Sequence, residues 1–198
     1  MMKSFKFTFL LFAVTGLAWT TISSCSDDKE IATPKLSDSH AKTEIAKITI
    51  PPSKKVFFDF KTNSLQDSAK SMVNLSGMYG SNLQNSRLDV YAMGYFDKEN
   101  TSIEKLTLQD VLAQKLTATN AFTIDASSAG APATGPTWII YDFKNNHAVY
   151  PTANRYIVMY KGTALNDNAD ELYVINAASV TAAQGTANYE INVKKFVK

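Results

Sequence analysis

The side chains with chemistry to offer in this chain are soft or aromatic donors. Beyond residue 24 there are four methionines, Met72, Met78, Met93 and Met159, together with nine tyrosines and Trp138. The only histidines are His40 and His147, and the only cysteine is Cys25. Methionine sulfur and imidazole nitrogen are the usual axial donors to haem iron, with tyrosinate a less common one. Methionine also fills irregular gaps in apolar cores, so each of the four carries two readings. The hydrolytic chemistries are poorly served. A Ser-His-Asp triad would have to be built on His147 alone, because His40 lies in a polar N-terminal stretch. The sequence has no Gly-x-Ser-x-Gly elbow, no phosphate loop and no His-Glu-x-x-His. A zinc site asks for several His or Cys ligands, and no metal site of that kind is expected. No carboxylate pair stands out for acid–base work. The composition therefore points away from an enzyme and toward a binding protein.

Cys25 has a different chemistry. It follows Ile22-Ser23-Ser24, the lipobox pattern of a branched apolar residue and two small ones. The small residues let a peptidase close on the backbone, and the thiol is a nucleophile for thioether attachment of diacylglycerol. A lone cysteine leaves no intramolecular disulfide to form. One acyl chain holds a membrane only marginally, so two or three chains of the palmitate type make such anchoring stable. Upstream, Lys3 and Lys6 form a short positive segment and Phe7 to Trp19 an apolar run. That run is shorter than the roughly 20 residues that span a bilayer, and it fits the central region of a signal peptide. Residues 1–24 are accordingly expected to be a lipoprotein signal peptide. Ser26-Asp27-Asp28-Lys29-Glu30 follows the cysteine. In one group of Gram-negative bacteria such an acidic run directs lipoproteins to the cell surface. A solvated tether with periplasmic retention is the alternative. The expected location is the outer membrane, lipid-anchored and exposed at the cell surface.

Removal of residues 1–24 takes two of the 20 Lys and Arg residues and no acid, so 18 basic residues face 18 acidic ones. A chain of zero net charge lacks the electrostatic footprint of a nucleic-acid binder. Residues 25–48 are polar and read as a lipidated flexible tether. Residues 49–198 are enough for one domain with its own core.

The elements that must position the donors are mostly strands. Val56, Phe58 and Phe60 alternate with Phe57 and Asp59; Leu88 to Tyr95 alternates likewise, which puts Met93 on one face with Tyr91 and Tyr95. Tyr189, Ile191 and Val193 alternate with Glu190, Asn192 and Lys194 in a final strand. Tyr156 to Tyr160 and Leu172 to Ile175 flank the turn-rich stretch 162–170 and read as a hairpin. Trp138 to Phe143 and His147 to Tyr150 flank Lys144-Asn145-Asn146 and read as another, with His147 at its tip. Thr107 caps the best helix, whose stripe is Leu108, Val111, Leu112 and Leu116. A weaker helix or loop covers Ser64 to Gly77, and Ala126 to Thr137 is a loop. The fold expected is all-β, mainly antiparallel, with one or two short helices.

The C-terminal half carries a family resemblance. Trp138-x-x-Tyr141-x-Phe143, then Val149-Tyr150-Pro151-x-x-x-Arg155-Tyr156-x-Val158, then Gly185-x-x-x-Tyr189-x-Ile191, resembles the closing half of the HmuY family. Val56-Phe57-Phe58-Asp59-Phe60 resembles the family's opening strand, and Leu88-Asp89-Val90 stands where the family has a Trp-Asp-hydrophobic strand. The resemblance spans roughly residues 54–62, 86–96 and 136–197. It departs at Leu88, where the family has Trp, and at Asp97 to Ser102, where the family has Thr-Asn-Gly-Gly. The family consists of surface or secreted all-β lipoproteins that bind haem between loops at one end of the fold and pass it to an outer-membrane receptor. Iron is held there by His–His or Met–Met pairs. The resemblance implies a hemophore-like, haem-binding lipoprotein for iron acquisition, with haem or a related porphyrin as ligand and two of Met78, Met93 and His147 as donors. The competing reading is a non-enzymatic surface module that binds glycan or protein, since tyrosines and Trp138 also suit sugar stacking and protein contacts.

Overall fold

The computed structural model describes residues 33–198. The expected signal peptide, Cys25 with its lipid and the acidic run after it lie outside the described residues. In chain order the elements are β1 (Lys42–Ile50), β2 (Val56–Asp59), β3 (Ser64–Leu65), β4 (Val73–Ser76), β5 (Asn82–Asn85), β6 (Ala92–Asp97), α1 (Leu108–Leu112), β7 (Thr117–Ala118), β8 (Ala121–Asp125), β9 (Thr137–Asp142), β10 (Ala148–Pro151), β11 (Arg155–Lys161), β12 (Glu171–Ala183) and β13 (Thr186–Val197). They form a six-stranded sheet in the order β1-β13-β12-β11-β6-β7 and a seven-stranded sheet in the order β10-β9-β8-β5-β4-β2-β3. All the pairings are antiparallel except that of β8 with β9, which the 126–136 loop joins in parallel. Among the described residues the fold is all-β with one short α-helix, as the sequence patterns require. Among the described residues no helix is long and apolar enough to cross a membrane.

The main core lies between the sheets. Ala46, Ile48 and Ile50 of β1, Tyr189, Ile191 and Val193 of β13, and Ile157 and Met159 of β11 meet Phe58, Val73, Leu75, Leu83, Phe122 and Trp138 from the other sheet. Each of the larger side chains contributes about 1.5–3 kcal/mol by leaving water. The opposite face of the six-stranded sheet is also covered. Tyr156, Val158, Leu172, Val174 and Phe196 pack there under Leu36, Ile103, Leu106, Leu108 and Val111. Burial on both faces explains why β11 and the start of β12 are continuous apolar runs rather than alternating ones. It also buries Lys194, whose ammonium donates to the carbonyls of Glu104 (2.8 Å) and Leu106 (2.6 Å). The helix is capped as its sequence predicts: the Thr107 hydroxyl accepts from the Asp110 amide, and the Asp110 carboxylate accepts from the Thr107 amide.

Three expectations differ from the structure. Ordered structure begins before residue 48: β1 starts at Lys42, pairs along its whole length with β13, and Leu36 is buried. The polar residues of β1 point outward from an edge strand, and this is why they read as tether. Ser64 to Gly77 holds two short strands, β3 and β4, instead of only a helix or loop, because Val73 and Leu75 fill the inter-sheet core. Leu88 to Val90 is a turn, and strand begins only at Ala92. The Asn85 carboxamide accepts from the Arg87 amide at 2.9 Å, and the Arg87 carbonyl accepts from the Val90 and Tyr91 amides. That local bonding competes with the ladder and leaves Leu88 65% exposed.

Candidate binding cleft

At one end of the sandwich the β1–β2, β4–β5 and β12–β13 connections surround a cleft of about 780 Å³. Its walls include Pro52, Lys54, Lys55, Met78, Tyr79 and Tyr141. The wall that carries Met78 and Tyr79 is a tight turn whose backbone is unusual. Gly77, Tyr79 and Gly80 all have positive φ, at 79°, 56° and 67°. A Cβ on Gly80 would come within 2.1 Å of Ile50 Cδ1, so only glycine fits there. The turn is tied down from below by two core aromatics. Trp138 Nε1 donates to the Ser81 carbonyl at 2.7 Å, and the Tyr189 hydroxyl donates to the Tyr79 carbonyl. The two rings stack at 4.8 Å and 11° across the sheets. Burial pushes the Tyr189 phenol well above its ordinary value and keeps it a donor.

The facing wall is Tyr141 on β9. Its ring centroid lies 6.3 Å from that of Tyr79 and 5.7 Å from that of His147. Tyr141 Oη and His147 Nδ1 are 2.6 Å apart. His147 ends the β9–β10 turn, with both Asn146 and His147 in the left-handed region at φ 50° and 59°. Asp142 organises that turn, accepting from the Lys144 and Asn145 amides at 3.1 Å. Tyr150 on β10 accepts from the Asn145 carboxamide at 2.5 Å.

Of the three donors expected from the sequence, the structure brings two to this end. Met78 is 58% exposed and borders the cleft. His147 is exposed and reaches the cleft wall through Tyr141. Met93 is elsewhere: it is 4% exposed, pairs with Met159 across β6 and β11, and borders a separate cavity near Leu116 and Tyr160. Met72 and Met159 are core residues. Tyr79, Tyr141, Lys54 and Lys55 were not singled out by sequence reading. The Gly-Met-Tyr-Gly run at 77–80 and the Tyr141-to-His147 spacing across a hairpin are the signals that could have found the first two.

A second polar centre serves the fold. Glu171, with its side chain 13% exposed, accepts from the hydroxyls of Tyr91 and Tyr173, both at 2.8 Å, and pairs with Lys61 at 2.5 Å. Burial alone would push its carboxyl up. The hydrogen bonds from Lys61, Tyr91 and Tyr173 outweigh burial and hold it below the ordinary glutamate value. Among the described residues no three His, Cys, Asp or Glu side chains gather where they could hold a metal ion by themselves. No family model, no curated protein and no solved structure matches the chain.

Proposed function

We propose that this is a lipid-anchored surface protein that binds haem, or a closely related iron porphyrin, in the cleft at the loop end of the sandwich. The observation that carries the reading is the lining of that cleft: a thioether, two phenol rings and two lysines around about 780 Å³. Small-molecule sites are commonly clefts of roughly 300–1,000 Å³ with aromatic walls and a few placed polar groups. Tyr79 and Tyr141 offer flat apolar faces to a macrocycle, and the exposed ammonium groups of Lys54 and Lys55 offer counter-charges to its carboxylates. Met78 offers a soft donor that the turn leaves in the open. The bound iron would supply the affinity for an axial donor; the protein's part is to present that donor and exclude water from the ring.

The glycan reading loses its main support, because the aromatic side chains best suited to sugar stacking are spent inside. Trp138 is 3% exposed against Tyr189, and Tyr95, Tyr156 and Tyr173 are buried as well. Titration of the purified full-length protein with hemin, followed by absorption, tests the proposal. A shifted Soret band that saturates at one equivalent is the expected result. An unchanged hemin spectrum in both the ferric and the reduced state overturns it. Cleavage before Cys25, its acylation and delivery to an outer-membrane haem receptor belong to the same proposal; metabolic labelling with a fatty acid, lost in Cys25→Ala, tests the anchor.

A further inference from the structure

The cleft contains a donor that neither the methionines nor the histidine account for. We infer that Tyr141 Oη is the atom that holds ferric iron, and that His147 is the positioning residue that fixes it. The inference rests on the haem reading above. Tyr141 borders the cleft, whereas His147 stands behind it with Nδ1 turned toward the phenol. At 2.6 Å, Tyr141 Oη and His147 Nδ1 are within hydrogen-bond reach, and the contact fixes where Oη lies. The Tyr141 ring also packs near two others, Tyr79 at 6.3 Å and His147 at 5.7 Å.

The turn that carries His147 is built to keep it there. Non-glycine residues enter the left-handed region uncommonly, and two in succession, Asn146 and His147, do so here. Asp142 closes the turn ahead of them through the Lys144 and Asn145 amides. The result turns the imidazole of an exposed residue back onto Tyr141, which pairs with Val149 two residues further on. Ferric iron is a hard ion that favours an anionic oxygen over a thioether. Tyrosinate is an established axial donor in haem proteins. Tyr141 Oη would hold the iron as phenolate, and the proton it gives up would pass to His147 Nδ1, with no change of oxidation state. Met78, on the opposite wall, is then free to serve as the second donor or to cover the ring.

The test uses hemin-loaded full-length protein and resonance Raman spectroscopy with excitation in the phenolate-to-iron charge-transfer band. Enhanced phenolate modes are expected in the parent protein and in Met78→Leu. They should vanish in Tyr141→Phe, with hemin bound about tenfold or more weakly. His147→Ala should keep the modes at shifted frequency and also weaken hemin binding. Tyr141→Phe keeps the ring and its packing, so loss of fold does not cloud the reading. Hemin bound by the parent protein without phenolate modes, or with modes that survive in Tyr141→Phe, overturns this inference and leaves the haem reading standing. Failure of the parent protein to bind hemin overturns both.

Discussion

A few residues carry more than their own surface. Arg155 is 4% exposed and yet fully partnered. Its guanidinium forms a bidentate pair with Asp97, at 2.9 Å through both Nε and the second terminal nitrogen, and donates to the carbonyls of Gly135 and Thr137. It also sits 4.1 Å over the Tyr95 ring. It therefore joins β6 and β11 to the start of β9, across the sheets. The Asp97 side chain is 43% exposed, so loss of the guanidinium leaves that carboxylate partly hydrated and costs about 2–3 kcal/mol, chiefly through the lost hydrogen bonds. Arg155→Ala is predicted to lower the unfolding free energy read from urea denaturation by that amount, and Arg155→Lys, which loses the fork geometry, by less. Glu171 gives a pH signature. Its folded value lies below the ordinary 4.5, so its contribution to stability is present above about pH 4.5 and is lost as pH falls through the folded value. Glu171→Gln is predicted to be less stable than the parent by about 1–2 kcal/mol near neutrality, with the gap closing in denaturation curves as pH falls below the ordinary 4.5.

At the level of elements, the shape of the cleft depends on residues that do not line it. The turn holding Met78 and Tyr79 is pinned by the Tyr189 hydroxyl from β13 and by the Trp138 indole from β9. Tyr189→Phe keeps the ring stack and removes one hydrogen bond, so a loss of about 1 kcal/mol in stability is predicted. Faster amide exchange at Gly80 and Ser81, whose amides close that turn onto Gly77 and Met78, is the local readout. Much of this level was legible in the residues. The alternation of Tyr189, Ile191 and Val193, the capping of α1 by Thr107, and the hairpin around Asn145 and Asn146 follow from period and turn chemistry, and the structure has them. What escaped was set by other elements. Leu88 and Val90 look like strand until the Asn85 side chain captures the following backbone. Val73 and Leu75 form strand because a second sheet lies opposite, which a short apolar run does not announce. The Tyr141–His147 contact needs the left-handed turn, which composition only hints at through its asparagines.

Among the described residues, β11, the start of β12 and the end of β13 are covered on both faces, while β1 and the far ends of β12 and β13 keep one face exposed. Sequence periodicity could show that faces were buried, but not that residues 33–41 and 103–116 cover the outer one. Lys194, which alternates as if it faced water, was the residue most open to misreading for that reason. The same asymmetry separates the expected donors: Met93 is inside the sandwich, while Met78 and His147 are at its end. The account's central claim is therefore one of place, that a flat iron porphyrin is held at the 52–55, 77–81 and 141–147 segments. Gallium protoporphyrin, a diamagnetic stand-in for hemin, allows that place to be mapped by amide chemical shifts in the full-length protein. The account predicts that the largest changes gather at Lys54, Lys55, Met78, Tyr79, Tyr141 and His147. Largest changes around Met93 and Tyr160, around Glu171, or nowhere at saturating porphyrin would contradict it.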